Sequence, residues 1–155
     1  YKLSAIYENG KWVSKLKITD NPEKVTDPGI KLPIRLYDTE GFMAGDVLFA
    51  YDDTSWQSGE ILSHDRMIFE QTKLFPSEYE RQPLLELVMR NGERIKPKRS
   101  IADIRSFALQ ETSKIRPETR RLVNPQTYWV GLSTTVAQEK RSAIESFWKK
   151  HCRPF

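Results

Sequence analysis

The chain has 155 residues, a length that fits one domain and is enough to bury a core of its own. Apolar residues make up 38% and charged residues 30%, a balance typical of globular rather than disordered proteins. No apolar run approaches the ~20 residues that a membrane-spanning helix needs. The net charge of +4 comes from basic and acidic residues mixed along the chain, so composition favours neither a nucleic-acid-binding nor a membrane protein.

The two ends of the chain give clues to its context. Residues 1–7 have neither the charged nor the apolar region of a signal peptide, and the chain begins inside an apparent strand, so we expect further polypeptide upstream. Cys152 is the single cysteine, which excludes an internal disulfide and fits a reducing compartment. A cytoplasmic location is therefore expected.

The first 51 residues read as strands. Asn9-Gly10 predicts a hairpin turn between strands at 2–8 and 12–18, because both residues tolerate positive φ. A loop over 19–30 precedes a third strand at 31–37, in which Pro33 favours an edge strand or a place among the first residues. A fourth strand is predicted at 42–51, with Gly45 as a possible bulge.

The middle of the chain is less regular. Residues 52–59 read as a polar loop, and 60–75 fit either short strands or a short helix. Asn91-Gly92 predicts a second hairpin, flanked by strands at 84–89 and 94–96.

The last third reads as helices. Ser100 followed by Asp103 is close to a capping box, and an apolar stripe at helical spacing follows it. Pro117 suits the first turn of a short helix through residue 122. An extended segment at 128–132 leads to a final helix capped by Ser133 or Thr134. Its predicted apolar face consists of Val136, Ala143, Ile144, Phe147 and Trp148. Antiparallel strands followed mainly by helices indicate an α+β fold.

The sequence contains no complete catalytic or metal site. His64, His151 and Cys152 fall short of a zinc signature, and no nucleophile elbow or glycine-rich phosphate loop is present. Asp52-Asp53 with Glu60 could hold a divalent cation, but a solvated loop is favoured. We therefore predict no catalytic residue and no metal ligand.

The loop around 17–31 is the best candidate for a binding site. It places lysines and threonines around two prolines and a glycine, and ammonium and hydroxyl groups suit phosphate or carboxylate. The candidate ligand-binding residues are Lys17, Thr19, Lys24, Thr26 and Lys31. The alternative is a rigid turn with solvated lysines.

The same loop carries a family resemblance that continues in order through most of the chain. The segments concerned are Lys17-x-Thr19-x-Asn21-Pro22-x-Lys24-x-Thr26-x-Pro28-Gly29-x-Lys31 with Arg35, Pro83-Leu84-Leu85, Gly92 before a helix with Ile101 and Ile104, and Arg120-Arg121-Leu122-x-x-Pro125-x-x-Tyr128-x-Val130-x-Leu132-Ser133. In these segments the chain resembles nicotinate phosphoribosyltransferases of the longer type.

The resemblance implies a C-terminal portion of an enzyme that joins nicotinate to 5-phosphoribosyl diphosphate with ATP hydrolysis and Mg²⁺. The catalytic barrel, with its phosphohistidine, would lie upstream of this chain, and the parent enzyme would be a homodimer. Residues 1–51 would then flank the barrel, residues 52–155 would form a C-terminal subdomain, and the chain alone would be inactive. A free-standing binding or regulatory module is the alternative.

Overall fold

The computed structural model describes residues 2–19, 21 and 24–151. Cys152, Tyr1 and Pro22, which entered the sequence predictions, lie outside the described residues. The strands are β1 (Ala5–Glu8), β2 (Lys11–Ser14), β3 (Lys31–Tyr37), β4 (Met43–Ala50), β5 (Ile61–Asp65), β6 (Thr72–Phe75), β7 (Glu80–Pro83), β8 (Met89–Arg90), β9 (Glu93–Arg94) and β10 (Val130–Ser133). The helices are α1 (Ile101–Ser113), α2 (Pro117–Arg120) and α3 (Thr134–His151). Within the described ranges, none of them combines the length and the apolar character required to span a bilayer.

A mixed six-stranded sheet in the order β6-β5-β10-β4-β3-β7 organises the chain. Neighbouring strands are antiparallel except β10 and β4, which run parallel. β1–β2 and β8–β9 are separate two-stranded hairpins. The predicted α+β class is confirmed, with strands dominating the first half and helices following. Strands on both sides of residue 51 contribute to the one sheet, and the division into 1–51 and 52–155 stays a prediction.

Most of the local predictions are confirmed. Asn9 and Asn91 have φ values of 50° and 52° in the two hairpin turns, each followed by a glycine at positive φ. Residues 60–75 form strands rather than a helix. The predicted 84–89 strand is wrong in extent, because only Met89 and Arg90 pair with β9.

Two of the predicted strands show how proline and glycine are accommodated. Pro33 is the third residue of β3, and β7 pairs with that strand only from Ile34 onward. β3 is therefore not an edge strand, and the early-position alternative is the correct one. The β3–β4 register shifts beside Gly45, as a bulge requires. A Cβ on Gly45 would lie 2.9 Å from the Phe75 ring, so the close approach of that ring requires glycine.

The core occupies both faces of the sheet. One cluster consists of Ile34, Leu36, Val47, Phe49, Ile61 and Phe75, from β3, β4, β5 and β6. On the opposite face, Leu132 of β10 packs with Val136 and Ala137 of α3. The final helix therefore covers the centre of the sheet with its first turns.

The predicted apolar face of α3 is only partly right. Val136 is buried and Ala143 and Ile144 are half-buried, but Phe147 and Trp148 remain exposed. The predicted face also omitted Lys140, which is 2% exposed. A lysine at a core position is invisible to an apolar-periodicity argument.

Leucine-to-alanine substitutions at two positions test this description of the core. Leu132→Ala removes a fully buried side chain between β4, β5 and α3 and should lower the free energy of unfolding by about 2–5 kcal/mol. Leu122→Ala is the matched control, because Leu122 is fully exposed and its loss should change stability by less than about 0.5 kcal/mol. Urea denaturation of the 155-residue chain measures both, and equal effects would contradict the assigned core.

Candidate functional site

A buried ion pair fixes the predicted loop to the body of the chain. The Lys140 Nζ lies 2.7 Å from Asp27 Oδ1, and both side chains are 2–3% exposed. Lys140 also donates to the Arg66 carbonyl oxygen at 2.6 Å. Arg66 in turn binds the second Asp27 oxygen through Nε at 2.9 Å and Nη2 at 2.6 Å. We refer to Asp27, Arg66 and Lys140 as the Asp27 cluster.

Lys31 closes the same loop from its other end. Its ammonium group donates to the carbonyl oxygens of Asp27, Pro28 and Gly29 at 2.7, 3.1 and 2.7 Å. Burial lowers the pKa of Lys31, and the nearby Asp27 and Glu139 carboxylates oppose that shift. All three donors of the ammonium group are thus used within the chain.

The other predicted ligand-binding residues divide into two groups. Thr26 is buried, and its Oγ1 accepts from the Lys17 backbone N–H at 2.8 Å. Thr19 Oγ1 accepts from the Asn21 N–H at 3.4 Å. The Lys24 and Lys17 side chains are exposed, and Lys17 lies beside a concavity of about 280 Å³ that Lys15 also lines. Thr26 and Lys31 therefore hold the loop together, while the ammonium groups of Lys17 and Lys24 form no hydrogen bond or ion pair with another described residue. Ligand binding by the five residues stays a prediction.

A cavity of about 520 Å³ opens next to the loop, between the β1–β2 hairpin and α3. Trp12 and Tyr51 lie at it as exposed aromatic residues, and Pro28 and Gly29 form part of its wall. Sequence analysis placed the candidate site on the loop but did not anticipate that the hairpin and α3 would enclose space with it.

A second polar network ties α1 to the sheet. Arg35 donates to both oxygens of Asp46 at 2.9 Å each, and the Tyr128 hydroxyl donates to the same carboxylate at 2.9 Å. Arg35 also lies 3.8 Å from Glu111 of α1. Burial and the Asp46 charge raise the pKa of Tyr128, so its hydroxyl stays protonated and remains a donor. This network is structural, because all of its groups bind one another.

The histidines and acidic residues considered as metal ligands do not converge. His64 contacts the Phe69 carbonyl at 3.2 Å and the Thr134 hydroxyl at 3.3 Å, and His151 contacts the Phe147 carbonyl in its own helix at 2.9 Å. Asp53 accepts from the Ser55 N–H at 2.8 Å within its turn. Across the described ranges, no group of three or more His, Cys, Asp or Glu side chains could hold a metal ion.

An extended apolar surface is the feature that the sequence prediction of α1 missed. The capping box forms as predicted: the Asp103 N–H donates to Ser100 Oγ at 3.1 Å, and the Ser100 N–H donates back at 3.2 Å. No residue of α1 is buried, however, and Ile101 is 86% exposed. We define the α1 surface as the exposed apolar side chains of Leu87, Val88, Met89, Ile95, Ile101, Ile104 and Phe107.

The α1 surface includes a groove. Val88, Met89, Ile95 and Ile104 line an open space of about 1000 Å³ between the β8–β9 hairpin and α1. Basic residues border it: Arg94, Lys96, Lys98 and Arg99. The groove thus combines an apolar floor with a cationic rim.

The chain matches a known family over most of its length. Residues 30–140 match the model of the nicotinate phosphoribosyltransferase C-terminal domain. A nicotinate phosphoribosyltransferase of Bos taurus is 36% identical over 77% of this chain and 22% of its own length. A nicotinate phosphoribosyltransferase of Bacillus subtilis is 32% identical over 93% of this chain and 29% of its own.

A solved structure agrees with these matches. The crystal structure of human nicotinic acid phosphoribosyltransferase superimposes with a TM-score of 0.64 and 29% identity, covering 79% of this chain and 23% of that one. The chain therefore spans about a quarter of the length of the proteins it resembles.

The Asp27 cluster makes a stability prediction. Lys140→Met keeps the side-chain length but leaves the buried Asp27 carboxylate with Arg66 as its remaining cation. The free energy of unfolding should fall by about 3 kcal/mol, because the buried Asp27 carboxylate loses its buried ammonium partner and keeps the half-exposed Arg66 guanidinium. Lys149→Met, at the exposed end of the same helix, is the matched control and should have almost no effect.

Chemical denaturation of the two variants and of the double variant Asp27→Leu/Lys140→Met measures the prediction. The double variant should be more stable than Lys140→Met alone, since both buried charges are then absent. A Lys140→Met variant as stable as Lys149→Met would contradict the role of the ion pair.

Proposed function

The chain belongs to the nicotinate phosphoribosyltransferase family, as its C-terminal domain, and we propose that it is the non-catalytic, supporting part of such an enzyme. The parent enzyme forms nicotinate mononucleotide and diphosphate from nicotinate and 5-phosphoribosyl diphosphate, coupled to ATP hydrolysis, in the cytoplasm. Mg²⁺ and ATP bind in the upstream catalytic barrel, and two copies of the complete polypeptide form a dimer. The matched residues of this chain make up 22% and 29% of the length of these relatives, which leaves room for that barrel.

The chemistry of the reaction supports this division of labour. Transfer of a phosphoribosyl group develops positive charge on the sugar and releases a diphosphate that a metal must neutralise. Such a site needs rigid acidic metal ligands, and the described residues bring no such set together. The polar clusters of the described residues, around Asp27 and Asp46, bind their own neighbours and hold the fold.

The exposed α1 surface is the observation that carries the proposal. A 13-residue helix is marginally stable in water by itself and normally depends on packing of its apolar face. Here Ile101, Ile104 and Phe107 are presented to solvent, next to the apolar floor of the hairpin groove. Contiguous apolar surface rimmed by polar residues marks a protein interface. We assign the upstream catalytic part of the same polypeptide to this surface.

The chain could have one of three roles, and each of them predicts something different about what covers the α1 surface. An upstream domain would cover it within one polypeptide, and a second copy of this chain would cover it by dimerisation. A free-standing regulatory module would leave it accessible in the monomer. Stability measurements in two contexts separate these cases.

An aspartate placed on α1 tests the interface. In the complete polypeptide, Phe107→Asp should lower the free energy of unfolding by about 3 kcal/mol or more, because the ring would be buried against the catalytic part. In the 155-residue chain alone the same change should cost less than about 1 kcal/mol, because the Phe107 ring makes few contacts there. Among the described residues, its one contact with a cation or another ring is with the Arg99 guanidinium, which lies 4.7 Å from the ring centroid.

Ser106→Asp, on the opposite side of α1, is the matched control and should have a small effect in both contexts. A Phe107→Asp effect that is equally small in both would contradict the interface and favour the free-standing module. A concentration-dependent effect in the 155-residue chain alone would instead assign the surface to a second copy.

Activity measurements test the supporting role. The 155-residue chain alone should form no nicotinate mononucleotide, and addition of the upstream polypeptide should restore its formation, as followed by chromatography. Product formation by the 155 residues alone would refute the assignment of catalysis to the barrel.

The loop residues whose cations are not used within the loop are the remaining ligand candidates. We propose that Lys17 and Lys24 contact the catalytic part or its anionic substrates. In the complete enzyme, Lys17→Ala/Lys24→Ala should then lower kcat/KM by about tenfold or more with little loss of stability, as expected when charged hydrogen bonds are removed. Lys11→Ala, an exposed lysine of β2, is the control, and unchanged kinetics in the double variant would leave only the solvated turn.

A further inference from the structure

A small polar cavity lies away from both the loop and the α1 surface. It has a volume of about 170 Å³ and opens where the start of β4, β6, α2 and the segment before β10 meet. Lys73 and Arg116 line it together with Thr119, Gln126 and Thr127. Neither the family match nor the supporting role gives this cavity a purpose.

Lys73 brings a cation without a carboxylate partner to this cavity. Its Nζ donates to the Ala44 carbonyl oxygen at 2.9 Å and lies 4.9 Å from the Phe75 ring centroid. Among the described residues it forms no ion pair, so two of its three N–H donors remain unused. Burial lowers the pKa of Lys73, and the nearby positive charge of Arg116 lowers it further.

Arg116 contributes a second cation, part of which is already used. Its Nε donates to Asp38 Oδ2 at 3.1 Å, and its Nη2 contacts the same carboxylate and Glu40. Asp38 is also held by the backbone N–H groups of Glu40 and Phe42, at 3.0 and 2.9 Å. The Arg116 Nη1 forms no hydrogen bond within the described part of the chain. Asp38, which also lines the cavity, and Glu40 therefore balance the charge of Arg116, and Lys73 is the cation of the cavity that has no carboxylate partner among the described residues.

Neutral donors complete the lining. The side chains of Thr119, Gln126 and Thr127 form no hydrogen bonds to any described residue, although all three border the cavity. Their hydroxyl and amide groups come from α2 and the segment after it, whereas Lys73 comes from β6. These neutral donors and the Lys73 ammonium group therefore border the same space.

We propose that this cavity binds a tetrahedral oxyanion, a phosphate group, through Lys73, Arg116 Nη1 and the hydroxyls of Thr119 and Thr127. A phosphate group offers acceptor oxygens in several directions, whereas a carboxylate is planar and presents two. Its charge balances the Lys73 ammonium, which has no partner of opposite sign in the described part of the chain. The site does not depend on the proposed supporting role, because every group in it belongs to this chain.

Inorganic phosphate titrated into the 155-residue chain at constant ionic strength tests the site. The backbone amide signals of Thr127, Tyr128 and Ala44 should move along a saturable curve in two-dimensional NMR spectra. Lys73→Met should weaken the apparent affinity about tenfold or more, as the loss of a charged hydrogen bond predicts. Lys11→Met, which removes an exposed lysine far from the cavity in sequence, should leave the curve unchanged.

A second variant and two further ligands complete the experiment. Thr127→Val changes an exposed residue that the fold does not need, and it should also weaken binding. Saturation by ribose 5-phosphate would support the site and identify a phosphate ester as its ligand, whereas saturation by inorganic phosphate alone would support it as a site for the free ion. Linear shifts without saturation, equal affinities in Lys73→Met and Lys11→Met, or equally tight binding of acetate would overturn the proposal.

Discussion

The pairing of Asp27 with Lys140 is the constraint on which the arrangement of the chain depends. The two residues are 113 positions apart, and their contact joins the loop before β3 to the helix after β10. Burial of two charges is costly unless each finds its partner and further hydrogen bonds. The Arg66 guanidinium also donates to Asp27, and Lys140 donates to the Arg66 carbonyl oxygen. Arg66, in the turn between β5 and β6, therefore helps to compensate both buried charges. An alternative docking of α3 would leave a buried charge without its partners.

This ion pair acts together with a strand insertion that depends on long-range contacts. β10 enters between β4 and β5, parallel to the first and antiparallel to the second, although more than 60 residues separate it from either. Gly131 allows the fit, because a Cβ there would lie 2.1 Å from Ser63 Oγ. The Trp129 indole N–H donates to that same hydroxyl at 2.9 Å. The six-stranded sheet is complete only when β10, from the last third of the chain, has paired with β4 and β5. The helix α3 directly follows β10 and covers the sheet at this point.

Sequence reasoning succeeded where a local rule decides the structure. Asn9-Gly10, Asn91-Gly92 and the Ser100–Asp103 capping box each act within four residues, and all three form. It failed where the partner is distant. Nothing near Lys140 indicates that its ammonium group meets Asp27, and nothing near Gly131 indicates a central strand. Lys31 and Thr26 were predicted as ligand contacts from their chemistry alone, since their backbone partners become visible only when the loop is folded.

The buried charged groups of this chain have partners within it, whereas many of its apolar side chains remain exposed. This difference supports the proposal that the chain packs against another polypeptide segment. Asp27, Asp46, Arg35 and Lys140 are all buried or half-buried, and each is bound within the chain. The apolar side chains of α1 and the β8–β9 hairpin, in contrast, remain about half exposed or more, and no residue of α1 is buried. A domain that functions alone as a monomer would be expected to expose less apolar surface, because exposed apolar patches promote association. The buried charges are thus compensated within this chain, whereas its exposed apolar surface supports the proposal that another polypeptide segment packs against α1 and the β8–β9 hairpin.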